Sequence, residues 1–252
     1  MEEKSIKIIS CGFNPGIYLE KCVNSILSQK YKNFKVIFVD DCSNDSSYEK
    51  YIPFDDDRVV YIKNESRKTA LENIFNVIVN YTNPEDLCIL LDSDDWCSTK
   101  FALKTINEFF HTQNCWVSWG SCQWIGDEYN RKDFSSPYTK EEFDNLRKSP
   151  FRFSHIRCFY SGLFKKIQEQ DKNFDIFKDK KGEFYKSCYD VPIMFSISEL
   201  AGFERCYYNP IPLYCYNRET VLNDDKIDAN LQHLIHVEVS NKPPFKKIEN
   251  FL

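Results

Sequence analysis

The chain has 252 residues, of which 42% are hydrophobic, and it carries a formal net charge of -5. This length suits one sizeable domain, and the hydrophobic fraction is enough for a core but too low for an integral membrane protein. A mildly acidic chain is also a poor candidate for non-specific nucleic-acid binding, because that binding depends on neutralising phosphates. We therefore expect no nucleic-acid partner.

The N-terminal residues and the cysteines bear on cellular location. Residues 1–9 lack the basic and then apolar pattern of a signal peptide, and no stretch reaches the roughly 18 apolar residues of a membrane-spanning helix. The 11 cysteines are odd in number and form no Cys-x-x-Cys pair. These features predict a cytoplasmic protein with no membrane span and with reduced thiols.

Apolar residues in the first 112 positions alternate between short continuous runs and helical three-and-four spacing. The predicted elements are strands at 5–11, 34–39, 58–62 and 87–91, and helices at 18–27, 70–81 and 101–110. Strands that alternate with helices predict an α/β fold with a mostly parallel sheet flanked by helices. Ligands of such sheets bind beyond the carboxyl ends of the strands.

The pattern loosens after residue 113. The predicted elements there are a strand at 116–124, a polar segment at 126–150 that is mobile or shapes the substrate site, helices at 155–167 and 191–200, and short strands at 205–216. Residues 217–252 have no assignable pattern. Because no linker or repeat separates these parts, we expect a single domain with two halves, 1–112 and 113–220, and a tail, 221–252.

Three carboxylates, Asp92, Asp94 and Asp95, stand within four residues directly after a predicted buried strand. Their mutual repulsion would be costly without a cation. Mg²⁺ and Mn²⁺ prefer hard oxygen ligands and often combine one or two carboxylates with substrate phosphates. An acidic turn or helix cap is the alternative, but the strand before the motif and the helix after it favour a Mn²⁺ or Mg²⁺ site.

A second acidic pair, Asp40 and Asp41, ends the second predicted strand. A carboxylate at this position can accept a hydrogen bond from a ribose hydroxyl or a pyrimidine N–H. The following Ser43 and Asp45 are equally suited to cap a helix. The pair alone therefore leaves nucleoside binding and capping open.

Four segments together resemble family 2 glycosyltransferases in order and spacing. They are residues 6–14, 18–29, 34–47 with Val-Asp-Asp-x-Ser-x-Asp, and 90–96 with Leu-Asp-x-Asp-Asp-Trp. The resemblance implies a GT-A fold, a nucleotide-sugar donor, a divalent metal and inverting transfer to a hydroxyl of a glycan or other acceptor. It also implies that 1–112 binds the nucleotide-sugar and that 113–220 binds the acceptor.

The resemblance also implies a set of donor-site residues. Asp41 would lie on the base, Arg67 would meet the base or a phosphate, and Asp94 or Asp95 would bind the metal directly. A carboxylate on the base suits the N3–H of uracil, so a UDP-sugar is favoured over GDP and dTDP donors. The residues expected to bind the nucleotide-sugar are Cys11, Phe13, Asn14, Asp41, Arg67, Asp92 and Ser93.

Inverting transfer needs a general base for the acceptor hydroxyl. By resemblance to the family's late helix, Asp190 is that base, with Glu183 or Asp179 next; Asp190 is also a natural helix N-cap. His155 and Arg157 are expected to contact the acceptor or the diphosphate. A Gln-x-x-Arg-Trp motif, typical of processive members, is absent from the sequence. We therefore expect the addition of a single sugar.

Two other classes remain open on sequence grounds. A sugar nucleotidylyltransferase shares the sheet and the metal carboxylate, but its first loop is usually rich in Gly, Arg and Lys, whereas residues 12–16 contain no basic side chain. A non-catalytic sugar-binding or partner-binding module of the same fold is the other alternative. Metal-dependent release of nucleotide from a nucleotide-sugar would distinguish an enzyme from a binding module.

Overall fold

The structure is a computed structural model that describes residues 1–51, 54–126 and 134–252. Its strands are β1 (Ile6–Gly12), β2 (Phe34–Asp40), β3 (Val59–Lys63), β4 (Leu87–Leu90), β5 (Trp96–Cys97), β6 (Val117–Ile125), β7 (Arg157–Tyr160) and β8 (Cys206–Asn217). They form one sheet in the order β3-β2-β1-β4-β7-β6-β8-β5. Strands β3, β2, β1 and β4 are mutually parallel, β6 is parallel to β8, and β7 and β5 run antiparallel to their neighbours. The α/β fold with a mostly parallel sheet is confirmed.

Helices cover both faces of the sheet. They are α1 (Tyr18–Leu27), α2 (Ala70–Tyr81), α3 (Ala102–Thr112), α4 (Lys140–Asp144), α5 (Ser161–Gln170), α6 (Asp190–Ala201) and α7 (Asp224–Ser240). Because side chains alternate along a strand, Ile8 of β1 packs with α1 and α3, whereas Ile9 packs with α2, α5 and α6. The apolar runs of β1 and β4 are buried on both faces, as parallel strands between two helical layers must be.

The second half corrects two sequence predictions and adds a helix where none was predicted. The helix predicted at 155–167 was wrong in its first part, because residues 157–160 form β7 and the helix begins at Ser161. Pairing of Cys158 with Ile89 places β7 at the centre of the sheet, and such tertiary pairing outweighs local helical spacing. Residues 206–216 lie in one long strand, β8, rather than in several short ones. The tail that had no assignable pattern contains α7.

Part of the polar segment predicted at 126–150 lies outside the described residues, namely 127–133. Its remainder contains α4, which begins with a capping box between Thr139 and Glu142, and a short 3₁₀ turn, Leu146–Lys148. Within the described ranges no helix has the length and apolarity needed to cross a membrane. The described cysteines form no disulfide bond.

Candidate active site

A cavity of about 460 Å³ opens where β1, β2 and β4 end. The polar loops that follow these parallel strands meet there, as the sheet topology requires. Predicted site residues that line it are Cys11, Phe13, Asp41, Arg67, Asp92, Ser93, Asp94, Asp95, His155, Arg157 and Asp190. The fold therefore brings side chains from both halves of the chain into one cavity.

Asn14 is the predicted site residue that does not line this cavity. Its side-chain amide donates to Asn44 Oδ1 at 2.9 Å, and the backbone N–H of Asn44 donates to Asn14 Oδ1 at 2.9 Å. Ser43 Oγ accepts from the Asn14 backbone N–H at 3.0 Å. Asn14 therefore joins the loops after β1 and β2, and a direct contact with a nucleotide-sugar stays a prediction.

The Asp41 carboxylate organises the turn that precedes α2. Its Oδ1 accepts from Asn64 Nδ2 at 2.8 Å and from the Lys68 amide at 2.9 Å, and its Oδ2 accepts from Arg67 Nε at 3.0 Å and from the Thr69 amide at 2.9 Å. Burial alone would raise the pKa of Asp41, but hydrogen bonding from the side chain of Asn73, the Lys68 amide, Asn64 and the Thr69 amide holds the pKa below its usual value. All four in-plane acceptor positions of the carboxylate are thus occupied.

Arg67 and Phe13 form a flat surface at this end of the cavity. The guanidinium carbon of Arg67 lies 3.7 Å from the centroid of the Phe13 ring, a cation–π contact. The Arg67 side chain is 47% exposed although it pairs with a carboxylate that is 4% exposed. An aromatic face and an accessible cation side by side suit a planar, polar ligand such as a nucleobase.

Asp92 and Asp94 both line the cavity. Burial, together with the charge of Asp94, raises the pKa of Asp92 to about 7. Burial likewise raises the pKa of Asp94 to about 6. The Tyr189 hydroxyl opposes this shift at Asp92, because it donates to Oδ1 at 3.1 Å and to Oδ2 at 2.9 Å.

Asp95 has different surroundings, although it is adjacent in sequence. Its Oδ2 accepts from the Tyr214 hydroxyl at 2.5 Å, and its Oδ1 accepts from the backbone N–H of Asn217 at 2.6 Å. Both donors belong to the end of β8, and Asp95 is 1% exposed. Asp95 therefore fastens the acidic motif to β8, and Asp94 is the better placed of the two to bind a metal.

The donor set fits a hard divalent cation that shares its coordination with a ligand. Asp92 and Asp94 supply only oxygen atoms, which Mg²⁺ and Mn²⁺ prefer. Burial raises the pKa of both carboxyl groups, and a bound cation would favour their ionised forms. Within the described residues, no cluster of three or more His, Cys, Asp or Glu side chains is arranged to hold a metal. A metal here would need diphosphate oxygens or water to complete its coordination.

Asp190 faces the cavity from the start of α6. Tyr189 is the helix N-cap and Asp190 is the first helical residue, so the expectation that Asp190 is the N-cap was wrong. Its Oδ2 accepts from Arg157 Nη2 at 2.6 Å, and the Arg157 side chain is 4% exposed. Arg157 Nε also donates to the Phe153 carbonyl at 3.0 Å, so the guanidinium has a fixed orientation.

His155 lines the cavity and stacks on two tyrosine rings of β8. Its ring centroid lies 4.3 Å from that of Tyr214 and 5.1 Å from that of Tyr216. Burial, and then the adjacent charge of Arg157, holds the pKa of His155 well below its usual value. The imidazole is therefore neutral and packs as an aromatic ring at neutral pH.

Sequence reasoning missed a third group of cavity residues, which come from the segment before α6, the end of β8 and the tail. They include Lys186, Tyr189, Arg218, Asn223, Asp224 and Ile227. Asn-Asp-Asp at 223–225 is a helix-start signal that would have predicted α7. Nothing in the local sequence indicates that this helix starts over the cavity.

A family model described as glycosyl transferase family 2 matches residues 8–168. A Campylobacter jejuni protein named GalNAc(5)-diNAcBac-PP-undecaprenol beta-1,3-glucosyltransferase is 26% identical over 172 residues, which are 68% of this chain and 54% of the relative. Escherichia coli WfgD, named UDP-Glc:alpha-D-GlcNAc-diphosphoundecaprenol beta-1,3-glucosyltransferase, is 26% identical over 104 residues, or 41% of each chain. The chain spans about half the length, or less, of the curated relatives it matches.

The fold is also similar to that of solved structures. S. aureus TarS 1-349 in complex with UDP superposes with a TM-score of 0.63 at 17% sequence identity. The match covers 94% of this chain and 66% of that one. At this identity the likeness supports the fold, including the strands whose ends form the cavity.

Proposed function

Because the chain belongs to glycosyl transferase family 2, we propose that it moves a single sugar from a UDP-sugar to an acceptor hydroxyl by metal-dependent, inverting transfer. The observation that carries this proposal is that Asp92 and Asp94 line the same cavity as Asp190, whose carboxylate is paired with Arg157. Family membership favours sugar transfer over the nucleotidylyltransferase alternative.

The donor base is proposed to lie on Phe13 and against Asp41. Since the four acceptor positions of Asp41 are occupied, an incoming N3–H would replace the bond from Arg67 Nε, the most exposed of the four donors. Arg67 is then free to stack on the base or to meet a phosphate. That WfgD is named for UDP-Glc and that TarS has been solved with UDP supports a uridine nucleotide.

The diphosphate is proposed to lie over Asp92 and Asp94. A bound Mn²⁺ or Mg²⁺ would neutralise charge on the leaving diphosphate. Asp94 would hold the ion, and Asp92 would orient the ribose or share the ion, while Asp95 would keep the motif attached to β8. Ser93, within the motif and 1% exposed, packs against Gly12 at the end of β1.

Asp190 is proposed to take the proton of the acceptor hydroxyl. Arg157 donates to Oδ2, which leaves Oδ1 to receive the proton. The acceptor oxygen then attacks the anomeric carbon from the face opposite the diphosphate, and the anomeric configuration inverts. The alternatives Glu183 and Asp179 are not among the described residues that line the cavity.

The acceptor is proposed to be a sugar hydroxyl, as in the two relatives, whose names specify lipid-diphosphate-linked sugars. Apolar side chains on the cavity lining, Phe134 and Ile227, are 50% and 62% exposed and suit the apolar face of a sugar ring. A cytoplasmic location is also part of this proposal.

Nucleotide release from a panel of UDP-, GDP- and dTDP-sugars tests the proposal. With Mn²⁺ and no acceptor, we expect slow release of UDP from one UDP-sugar, loss of release in EDTA, and loss in Asp94→Asn. No release from any donor would favour the binding-module alternative. Release that EDTA does not affect would contradict the metal.

A further inference from the structure

The hydroxyl of Tyr189 lies between the donor and acceptor ends of the cavity. It donates to both carboxylate oxygens of Asp92, at 3.1 Å and 2.9 Å. Arg157 Nη1 lies 3.4 Å from the same hydroxyl oxygen, and Arg157 Nη2 donates to Asp190 at 2.6 Å. A continuous chain of polar contacts therefore runs from Asp92 through Tyr189 and Arg157 to Asp190.

The backbone before α6 explains why Tyr189 reaches this position. Cys188 has a φ of 57°, in the left-handed region, and Tyr189 follows as the N-cap of α6. This turn directs Tyr189 toward β4 while Asp190 begins the helix. The Tyr189 ring also lies beside the Arg157 guanidinium, with its centroid 5.7 Å from the guanidinium carbon.

We infer that Tyr189 is a positioning residue that fixes the orientation of the Asp92 carboxylate and joins it to the Arg157–Asp190 pair. A carboxylate can rotate about its last bond, and a donor shared between its two oxygens restricts that rotation. The donor-binding carboxylate and the proposed base would then keep a fixed separation before substrates bind. This inference rests on the proposed function.

Tyr189→Phe tests the inference, because it removes the hydroxyl and keeps the ring beside Arg157. The matched control is Tyr185→Phe, four residues earlier. The Tyr185 hydroxyl donates to Glu238 at 2.9 Å, and Tyr185 does not line the cavity. Both variants lose one hydroxyl that donates to a carboxylate, but only Tyr189→Phe affects Asp92.

The measurement is calorimetric titration of UDP into protein with saturating Mn²⁺. We expect Tyr189→Phe to weaken UDP binding at least about tenfold, the scale of one hydrogen bond to a charged group. Tyr185→Phe should bind UDP as the unmodified protein does. Unchanged affinity in Tyr189→Phe, or an equal loss in both variants, would overturn the inference.

A double-mutant cycle with Asp92→Asn separates positioning from general damage. If Tyr189 acts through Asp92, adding Tyr189→Phe to Asp92→Asn should cause little further loss of UDP affinity. Losses that simply multiply would mean that Tyr189 acts independently of Asp92. Failure of the unmodified protein to bind UDP would overturn the proposed function together with this inference, whereas multiplying losses on normal binding overturn the inference alone.

Discussion

The neighbouring carboxylates Asp94 and Asp95 have different surroundings. Asp95 accepts from the Tyr214 hydroxyl and the Asn217 amide, whereas Asp94 lines the cavity with a raised pKa. An amide at position 95 would present its NH₂ to one of the two donors. A substitution that removes charge should therefore have different effects at the two positions.

Asp95→Asn is expected to lower the free energy of unfolding by about 1–3 kcal/mol, because one buried donor loses its acceptor. Asp94→Asn should leave that free energy nearly unchanged and remove the metal-dependent activity. Urea denaturation of both variants, followed by the nucleotide-release assay, measures the difference. Equal stability of the two variants, with equal loss of activity, would mean that both carboxylates act on the metal.

Asp190→Asn tests the general base. We expect transfer to an acceptor to fall by about 10²–10⁴-fold, because an amide cannot take the proton. UDP binding should persist, because its site lies at the ends of β1, β2 and β4. Arg157 would lose its carboxylate in a buried position, so we also expect a loss of stability of up to about 3 kcal/mol.

The matched control for Asp190→Asn is Asp179→Asn. Asp179 caps an exposed turn by accepting from the Lys181 and Glu183 amides at 2.8 and 3.0 Å. This variant should transfer sugar normally. Loss of UDP binding together with transfer in Asp190→Asn would indicate that Asp190 is structural.

Among the secondary-structure elements, the end of β1 and the loop after β4 approach each other closely. A Cβ on Gly12, at the end of β1, would lie 1.5 Å from Ser93 Oγ and 2.7 Å from Ser93 Cβ. Gly12 therefore lets the acidic motif after β4 lie directly against the end of β1. Ser93 Oγ could rotate away, but Ser93 Cβ could not move away without displacing the backbone of the motif.

Gly12→Ala is expected to lower the free energy of unfolding by about 1–3 kcal/mol, the usual cost of overpacking, and to abolish UDP binding. The double variant Gly12→Ala/Ser93→Gly removes the clashing side chain and should regain part of the stability and part of the UDP binding. Thermal unfolding and calorimetry measure the two effects. Normal UDP binding by Gly12→Ala alone would mean that the loops have more freedom than the structure indicates.

A helix or strand could be predicted correctly when its signal lay in the local sequence. Helix α1 has apolar side chains at helical spacing, including Leu19, Val23 and Ile26, and its bounds were predicted correctly. Strand β7 has only four residues and exists because β4 and β6 hold it on both sides. Helix α7 has a kink at Asp228 and only two buried residues, so its apolar periodicity is weak.

The site residues, too, could be predicted only where their signal lay in the local sequence. The motif residues Asp41, Asp92 and Asp94 follow strand ends, and a parallel sheet places strand ends together. The pairing of Arg157 with Asp190 joins positions 33 residues apart in sequence, and local sequence gives no signal of it. Likewise, the attachment of Asp95 to β8 depends on a strand that begins more than a hundred residues later.

For the molecule as a whole, the state of the cysteines can be tested separately from catalysis. Most of the 11 cysteines are buried, and burial raises the pKa of thiols such as Cys158 well above the usual value, which protects them in the folded state. We expect a thiol reagent to find close to 11 free thiols after unfolding without reductant, and few before it. Several stable disulfides would contradict the predicted reducing, cytoplasmic location.

The proposed function requires that this cavity bind a uridine diphosphate through a metal held by Asp94. Calorimetric titration of UDP, with Mn²⁺ and separately with EDTA, into the unmodified protein and Asp94→Asn tests it most directly. We expect tight binding with Mn²⁺, markedly weaker binding in EDTA, and no effect of Mn²⁺ in Asp94→Asn. Equal UDP affinity with Mn²⁺ and with EDTA in the unmodified protein would contradict it.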